Sequence, residues 1–179
     1  MTIENWNLDT VHSSVNFWVR HLMVAKVHGR FNKWSGSLAF DEQDPSHSRV
    51  EVEIDATSVD TREPQRDTHL RSADFFDTEK YPTLKFTSTR VERSSDGNLR
   101  LTGDLTMHGA TKAVTLDVEY AGRAKHPNPK MGERAGFSAR GTLNRKDWGL
   151  VWNQVLDAGG FALSDKVEIH VEIEATKTS

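Results

Sequence analysis

Three histidines lie close together near the start of the chain, where a metal site or a proton-transfer site could form. His12, His21 and His28 all occur within VHSSVNFWVRHLMVAKVHGRFNKW. A zinc ion in a protein is usually held by three or four side chains that converge on it. His12 and His21 are too far apart on one predicted strand to share an ion, and no H-x-H or H-x-x-x-H pair occurs in the chain. We therefore predict no metal site, and we expect His12, His21 and His108 to hydrogen-bond backbone or carboxylate groups at strand ends.

A denser group of ionisable side chains lies in RDTHLRSADFFD, residues 66–77. Here Asp67 could orient His69 for acid–base catalysis, as a carboxylate orients the histidine of a catalytic triad. Such a protein would be a hydrolase or isomerase that acts on an amphiphile. The available nucleophiles lie outside any G-x-S-x-G elbow, and they are Ser13, Ser14, Ser58 and Ser72. Alternatively, the segment is a salt-bridged helix that closes one end of a barrel, with Leu70, Phe75 and Phe76 facing inward.

A third candidate site lies in LNRKDWGLVWN, where large apolar side chains alternate with others. Trp148, Leu150 and Trp152 share one face and could form either ordinary core packing or the lining of a pocket for a long apolar ligand. Asn144 and Arg145 supply hydrogen-bond donors beside it. Arginine suits a phosphate or a quinone carbonyl because it keeps its charge and presents a rigid fork of donors.

Apolar residues recur with a period of two along most of the chain, which is the pattern of half-buried β-strands. The predicted strands are 14–21, 27–41, 49–57, 83–93, 98–107, 113–124, 136–144 and 166–176. A short helix is expected from Thr61, as its N-cap, to about Ser72, with Pro64 in the first turn. A second short helix is possible at 153–158, ended by Gly159 and Gly160.

The pattern predicts a single all-β domain over residues 1–179. Strands of this length and spacing build either a sandwich or an up-and-down barrel, and closure removes long exposed edges. We therefore predict an eight-stranded antiparallel β-barrel with one or two short helices. Small residues at inward positions leave volume that suits a ligand, although glycine also marks bulges and bends. These inward positions are Gly29, Gly36, Gly103, Ala139 and Gly141.

Composition excludes several classes of function. The formal net charge is -3, there is no long run of Lys or Arg, and there is no cysteine. Nucleic acid is therefore not expected as a partner, and thiolate catalysis and disulfides are excluded. No apolar stretch approaches the about 20 residues of a membrane span, so stable membrane insertion is not expected. The start, MTIENWNLDT, has no signal-peptide pattern. We predict a cytoplasmic protein; a mature periplasmic or secreted form given a new initiator Met is the alternative.

Four long stretches together resemble the YceI-like family of lipocalin-like polyisoprenoid-binding proteins. They contain D-x-x-H-S and F-x-V-R-H, then R-D-x-H-L-R-S-x-D-F-F-D, then G-D-L-T-x-H-G, then GFSARGTLNRKDWGLVW, in an order and spacing that extends from Trp6 to about Ile173. The resemblance implies an extended lipocalin-like barrel with an apolar tunnel that holds a polyisoprenoid chain or an isoprenoid quinone. It also implies no catalytic activity and often a homodimer. Many members carry an export signal, and this chain departs from them in that respect.

We therefore predict a protein that binds a long isoprenoid for sequestration, transport or storage, with that lipid as its ligand and no cofactor. The hydrolase or isomerase that uses Asp67 and His69 is the second hypothesis, and a filled barrel with a structural role is the third. Polar groups at the tunnel mouth would hold a headgroup, and our candidates are His21, Arg71, Asn144 and Arg145. The predicted lining is Phe17, Val19, Phe31, Leu38, Phe40, Phe75, Phe76, Phe86, Leu105, Met107, Phe137, Trp148, Leu150 and Trp152.

Overall fold

Eleven β-strands make up most of the chain in the computed structural model, which describes residues 2–178. The strands are β1 (Glu4–Leu8), β2 (Ser14–His21), β3 (Ala25–Phe31), β4 (Trp34–Phe40), β5 (Arg49–Asp55), β6 (Val59–Asp60), β7 (Thr83–Arg93), β8 (Leu99–Met107), β9 (Ala110–Lys125), β10 (Glu133–Asn144) and β11 (Leu163–Lys177). The α-helix α1 is Pro64–Arg71, and 3₁₀ turns span Pro45–His47, Ala56–Ser58, Pro129–Met131 and Arg145–Trp148.

The sheet closes into a barrel through its first and last strands. The order is β1-β4-β5-β7-β8-β9-β10-β11, with antiparallel neighbours, and β1 also pairs with β11 so that Trp6 lies opposite Lys177. Farther along β11, β2 takes the place of β1, with Val19 opposite Val167. In the wall, therefore, β1 with β2, and β3 with β4, each make up one interrupted strand. The predicted eight-stranded antiparallel barrel is confirmed.

The strand boundaries follow the predicted alternation except where a turn interrupts it. β2 and β7 have the predicted bounds, whereas the predicted strand 27–41 is broken at Asn32 and Lys33. There the backbone leaves one ladder for another: Asn32 N donates to the carbonyl of Ser58, and Lys33 O accepts from Asp55 N. The short strands β1 and β6 were not predicted, because five and two residues are too few for a clear period.

The helices differ from the prediction at their starts and in their number. α1 begins after Glu63, whose carboxylate accepts hydrogen bonds from the backbone N–H groups of Gln65 and Arg66. Residues 153–158 do not form the predicted second helix. Val155 instead pairs with Phe161, and a turn between them carries two glycines with positive φ. Across residues 2–178 we find no helix whose length and hydrophobicity would let it traverse a lipid bilayer.

The antiparallel order gathers the connections at two ends of the barrel. The α1 end, as we name it, holds the β2–β3 turn, the segment that contains α1, the β8–β9 turn and the long β10–β11 loop. The opposite end holds the β4–β5, β7–β8 and β9–β10 connections. At the opposite end, Phe40, Tyr120 and Phe137 pack together with ring centroids 5.1–5.2 Å apart. The interior between the two ends is the place where a ligand could be held.

Candidate functional site

An apolar cavity of about 490 Å³ extends through the barrel interior. Its lining reaches from Phe40 and Leu99 near the opposite end to His21 and Gln154 at the α1 end. Its volume lies within the range of about 300–1,000 Å³ that is usual for sites of small organic ligands. Most of the wall is formed by aliphatic and aromatic side chains, so water inside it finds few hydrogen-bond partners. A molecule that fits this space must be largely apolar.

Fifteen of the eighteen predicted binding residues lie on the wall of this cavity, contributed by six of the strands, by the segment after α1 and by the β10–β11 connection. They are Phe17, Val19, His21, Phe31, Leu38, Phe40, Phe75, Phe76, Phe86, Leu105, Met107, Phe137, Arg145, Leu150 and Trp152.

Three of the predicted binding residues lie away from the wall. Arg71 donates from Nε and Nη2 to the carbonyls of Thr57 and Val59, which fastens α1 to the preceding turn. The Asn144 side chain accepts a hydrogen bond from the backbone of the next 3₁₀ turn. Trp148 is buried, and its indole N–H donates to the carbonyl of Leu105 at 2.9 Å. None of these three side chains lines the cavity. The prediction that Arg71 and Asn144 hold a headgroup and that Trp148 lines the cavity is therefore wrong.

The wall also contains residues that the prediction left out. Their alternation was visible in the sequence, because every second residue is aliphatic over 50–54 in β5, 114–118 in β9 and 167–173 in β11. Counting all strands that showed this period would have found them. The principal additions are Val50, Val52, Ile54, Val114, Leu116, Val118, Val167, Ile169, Val171 and Ile173.

The inward glycines do not create the empty volume by themselves, contrary to our expectation. Phe17 lies opposite Gly29 in the β2–β3 ladder, and a Cβ placed on Gly29 would come under 3.0 Å from the Phe17 ring. Phe86 covers Gly103 in the same way, and Leu116 covers Gly141. The aromatic rings lie flat against the wall because the glycines make room for them. The cavity remains because large side chains are drawn toward the wall rather than into the centre.

The cavity opens toward solvent at the α1 end. Four of its lining residues are exposed; three of them, His21, Arg66 and Gln154, lie at this end, and Arg49 lies at the other. Aromatic rings border the opening. The His69 ring packs edge-on against the ring of Trp152, with 4.6 Å between their centroids. Arg66 and Gln154 were not among the predicted headgroup residues. Neither shows a pattern in the sequence that distinguishes it from an ordinary surface residue.

Arg145 is a buried cation at the base of the β10–β11 loop. Its Nη1 donates to the carbonyls of Leu150 and Trp152 at 2.7 and 2.8 Å, and its Nε donates to that of Ser164 at 3.0 Å. The nearest carboxylate, that of Asp165, is 3.9 Å away. Burial lowers the pKa of the Arg145 guanidinium below its usual value. Its donors are used mainly to hold the loop, so it contributes to the shape of the wall more than to a headgroup site.

The expected acid–base pair between Asp67 and His69 does not form. Asp67 is buried, and its Oδ1 accepts hydrogen bonds from both the backbone N–H and the hydroxyl of Thr61. His69 pairs instead with Asp74, with 2.8 Å between Nε2 and Oδ2. Asp67 therefore fixes the start of α1, because its carboxylate takes the place of a backbone carbonyl as the acceptor for the Thr61 N–H. Asp74 could not be recognised as the partner from the sequence, because only the turn after α1 brings its carboxylate close to His69.

One cluster within residues 2–178 has the spacing of possible metal ligands, namely Asp9, His12 and Glu174. Arg134 already lies against it, with Nη1 2.9 Å from Asp9 and 3.6 Å from Glu174. The hydrogen bond with Asp9 raises the pKa of His12. The cluster is thus a network of ion pairs on the outside of the barrel. His12 and His108, which donates to the carbonyl of Trp148, contact the kinds of group that we expected.

The fold and the cavity together define a lipocalin-like protein, that is, a closed antiparallel barrel with an apolar interior open at one end. The chain belongs to the YceI-like family, whose model matches residues 6–175. It is 42% identical over 166 residues to the protein YceI of Escherichia coli O17:K52:H18, which covers 93% of this chain and 82% of that protein. The resemblance expected from the sequence is therefore confirmed.

Solved structures share the fold. The BcnA protein of Burkholderia cenocepacia is similar with a TM-score of 0.80 at 22% identity, over 94% of this chain and 99% of that chain. A polyisoprenoid binding domain from Saccharophagus degradans is similar with a TM-score of 0.66 at 15% identity, over 99% of this chain and 100% of that one. At these identities the likeness concerns the architecture of the barrel.

Proposed function

We propose that the protein binds the chain of a long isoprenoid, such as a polyprenyl lipid or an isoprenoid quinone, inside the barrel. The observation that carries the proposal is the apolar cavity of about 490 Å³ that opens at the α1 end. Removing apolar surface from water gains about 25 cal/mol per Å². Several prenyl units in such a cavity would therefore bind with micromolar or better affinity after the costs of association.

Two comparisons support this ligand class over other apolar molecules. The chain belongs to the YceI-like family, and a structure of the same fold is described as a polyisoprenoid binding domain. The ligand would be sequestered, transported or stored, without covalent change and without a further cofactor. Homodimer formation and a cytoplasmic location stay predictions.

The polar groups at the opening suit a headgroup of modest size. His21, Arg66 and Gln154 are exposed there and line the cavity. His21 and Gln154 offer hydrogen-bond donors to a carbonyl, hydroxyl or phosphate, while the apolar chain points inward. Arg66 already donates from Nε and Nη2 to Thr61, so it offers the headgroup its charge and Nη1. We propose that these three residues orient the headgroup, and that the length of the cavity selects the chain.

We also propose that the protein is not an enzyme. The hydrolase or isomerase hypothesis requires Asp67 to orient His69, but Asp67 is bonded to Thr61 instead. Turnover of an amphiphile that disappears in His69→Ala while lipid binding survives would establish the enzymatic alternative.

Lipid binding can be tested directly on the whole chain. Native mass spectrometry of protein purified without detergent is expected to show a bound lipid, and delipidated protein is expected to take up a fluorescent polyprenyl probe. Ala139→Phe should weaken uptake about tenfold, because the added ring occupies the cavity that Ala139 lines.

Ala113→Phe is the matched control. Ala113 is exposed and precedes the inward-facing Val114 on β9, so the same side chain added there does not reach the cavity. Delipidated wild type that takes up no probe, or equal uptake by the two variants, would contradict the proposal.

A further inference from the structure

Large apolar side chains are exposed mainly around the opening of the cavity. Within residues 2–178, nine large apolar residues are exposed, and six of them lie at the α1 end. We call these six the apolar rim: Leu22, Met23, Val24, Val151, Val155 and Phe161. Scattered single apolar residues are normal on a protein surface, whereas a group of them around a concave site indicates an interaction surface.

The two parts of the apolar rim are joined to each other and to the opening. Leu22 N donates to the carbonyl of Ala162 at 2.8 Å, which attaches the β2–β3 turn to the β10–β11 loop. Val155 pairs with Phe161 inside that loop. Ala162 and its neighbour Leu163 line the cavity. The apolar rim is therefore continuous with the cavity wall.

The residue types at the tip of the β2–β3 turn do not suit the backbone conformation that the turn requires. Leu22 and Met23 have φ values of 52° and 60°, and Val24 N closes the turn on the carbonyl of His21. Turns with positive φ at both central positions prefer Asn-Gly or Asp-Gly, because the Cβ of an ordinary side chain is strained in this region. Met23 is also 68% and Val24 82% exposed. Folding stability does not explain apolar residues here, but contact with an apolar phase does.

The hairpin that carries this tip contains basic residues and no acidic ones. The chain has 26 acidic residues, yet none occurs between Asp9 and Asp41. Arg20 and Lys26 lie on either side of the apolar tip and are exposed. Beside the neighbouring loop, Lys146 Nζ lies 5.8 Å from the ring centroid of Phe161, although it also pairs with the carboxylate of Asp165 at 3.3 Å. An apolar tip between basic side chains is complementary to the boundary between hydrocarbon and anionic headgroups in a lipid bilayer.

We propose that the apolar rim docks the α1 end of the barrel on the surface of a bilayer that contains anionic phospholipids. Leu22, Met23 and Val24 enter the headgroup region, and the basic residues face the lipid phosphates. Docking brings the opening of the cavity against the membrane, so that a water-insoluble ligand can pass between the two without crossing water. That use rests on the proposed function, whereas docking itself needs no ligand.

Flotation with vesicles tests the docking. The delipidated full chain is mixed with vesicles of phosphatidylcholine alone or of equal phosphatidylcholine and phosphatidylglycerol, without isoprenoid. Wild type is expected to float with the anionic vesicles and less so at high salt. Met23→Asp should weaken binding about tenfold or more, because a charge replaces an apolar side chain that enters the headgroup region on docking. Met131→Asp, the same change at an exposed methionine of the opposite end, should leave binding unchanged.

A second variant separates docking from folding. The double change Leu22→Asn and Met23→Gly supplies the residues that positive φ favours, so it should raise the melting temperature and still lose vesicle binding. Both tip variants should take up the soluble polyprenyl probe as wild type does, so a failure of docking is distinct from a failure of ligand binding. Wild type that ignores anionic vesicles would overturn the proposal, as would equal binding by the two methionine variants. Sedimentation showing a dimer that Met23→Asp dissociates, with no vesicle binding, would assign the rim to a second copy instead.

Discussion

Arg145 illustrates how one buried charge can shape an apolar site. Its guanidinium donates to the carbonyls of Leu150 and Trp152 in the β10–β11 loop and to that of Ser164 in β11, so it ties the loop to the strand that follows it. A lysine would not reproduce this because it has one ammonium group rather than a planar fork of donors. The loop supplies Leu150 and Trp152 to the cavity wall. The charge therefore supports the shape of the wall through the donors that hold this loop.

Removing this guanidinium should cost stability and reshape the cavity. Arg145→Met leaves three buried or partly buried carbonyls without this donor, and we expect the free energy of unfolding to fall by about 3 kcal/mol. Lys146→Met removes only a half-exposed ion pair with Asp165 and should change stability by less than about 1 kcal/mol. Urea denaturation of both variants measures the difference. Equal effects would show that the carbonyl contacts of Arg145 contribute little.

The strands keep the interior open by placing a glycine beside a large side chain of the neighbouring strand. In β2 and β3 the ring of Phe17 covers Gly29, and in β7 and β8 the ring of Phe86 covers Gly103. Each ring can lie against the wall because the neighbouring glycine has no Cβ in the space that the ring occupies. A larger residue at the glycine would turn the ring toward the barrel axis, where it would take up ligand volume.

Gly103→Ala should therefore both destabilise the barrel and reduce ligand capacity. The new Cβ would come under 3.0 Å from the Phe86 ring and from the carbonyl of Thr87, which we expect to cost about 1–3 kcal/mol. Gly136→Ala is the control, since its Cβ would meet only the Cβ of Ala121 at 3.4 Å. Thermal denaturation and probe uptake are the measurements. Normal uptake and stability in Gly103→Ala would rule out the role that we assign to the glycine.

The molecule as a whole is closed by a short seam that depends on charge. β1 pairs with both β4 and β11, and Glu4 at its start accepts hydrogen bonds from Lys177 at 2.6 Å and from Arg123 at 2.8 Å. These bonds hold the pKa of Glu4 below its usual value. The seam is thus held by a carboxylate that must stay ionised.

Acid should weaken this seam in a defined pH range. Because the pKa of Glu4 is lower in the folded state, its contribution is complete above the unfolded value near 4.5 and disappears as the pH falls through the folded value. Glu4→Gln should cost about 1 kcal/mol at pH 7, and the gap from wild type should close in strong acid. Thermal melts over this range measure the gap. Glu92→Gln, which removes an exposed pair with Arg90, should show little difference at any pH.

Most of the barrel could be predicted because its signal is local. A period of two defines each long strand and its inward face, so most of the wall residues follow from counting along the sequence. The contacts that depend on the path of the chain between strands could not be predicted. Asp67 bonds back to Thr61, His69 turns to Asp74, and Arg71 faces the preceding turn. Each of these depends on backbone geometry that no residue spacing encodes.

The interruption of the wall between β3 and β4 leaves one edge that is not part of any ladder. Within residues 2–178, β3 pairs with β2 along its length, but on its other side it pairs only with β6, at Arg30 and Phe31. On that side the ring of Phe76, from the segment after α1, packs edge-on against the ring of Phe31 with 5.7 Å between centroids. From Ala25 to Gly29, β3 therefore has a strand partner on one side only, and side-chain packing replaces the second ladder.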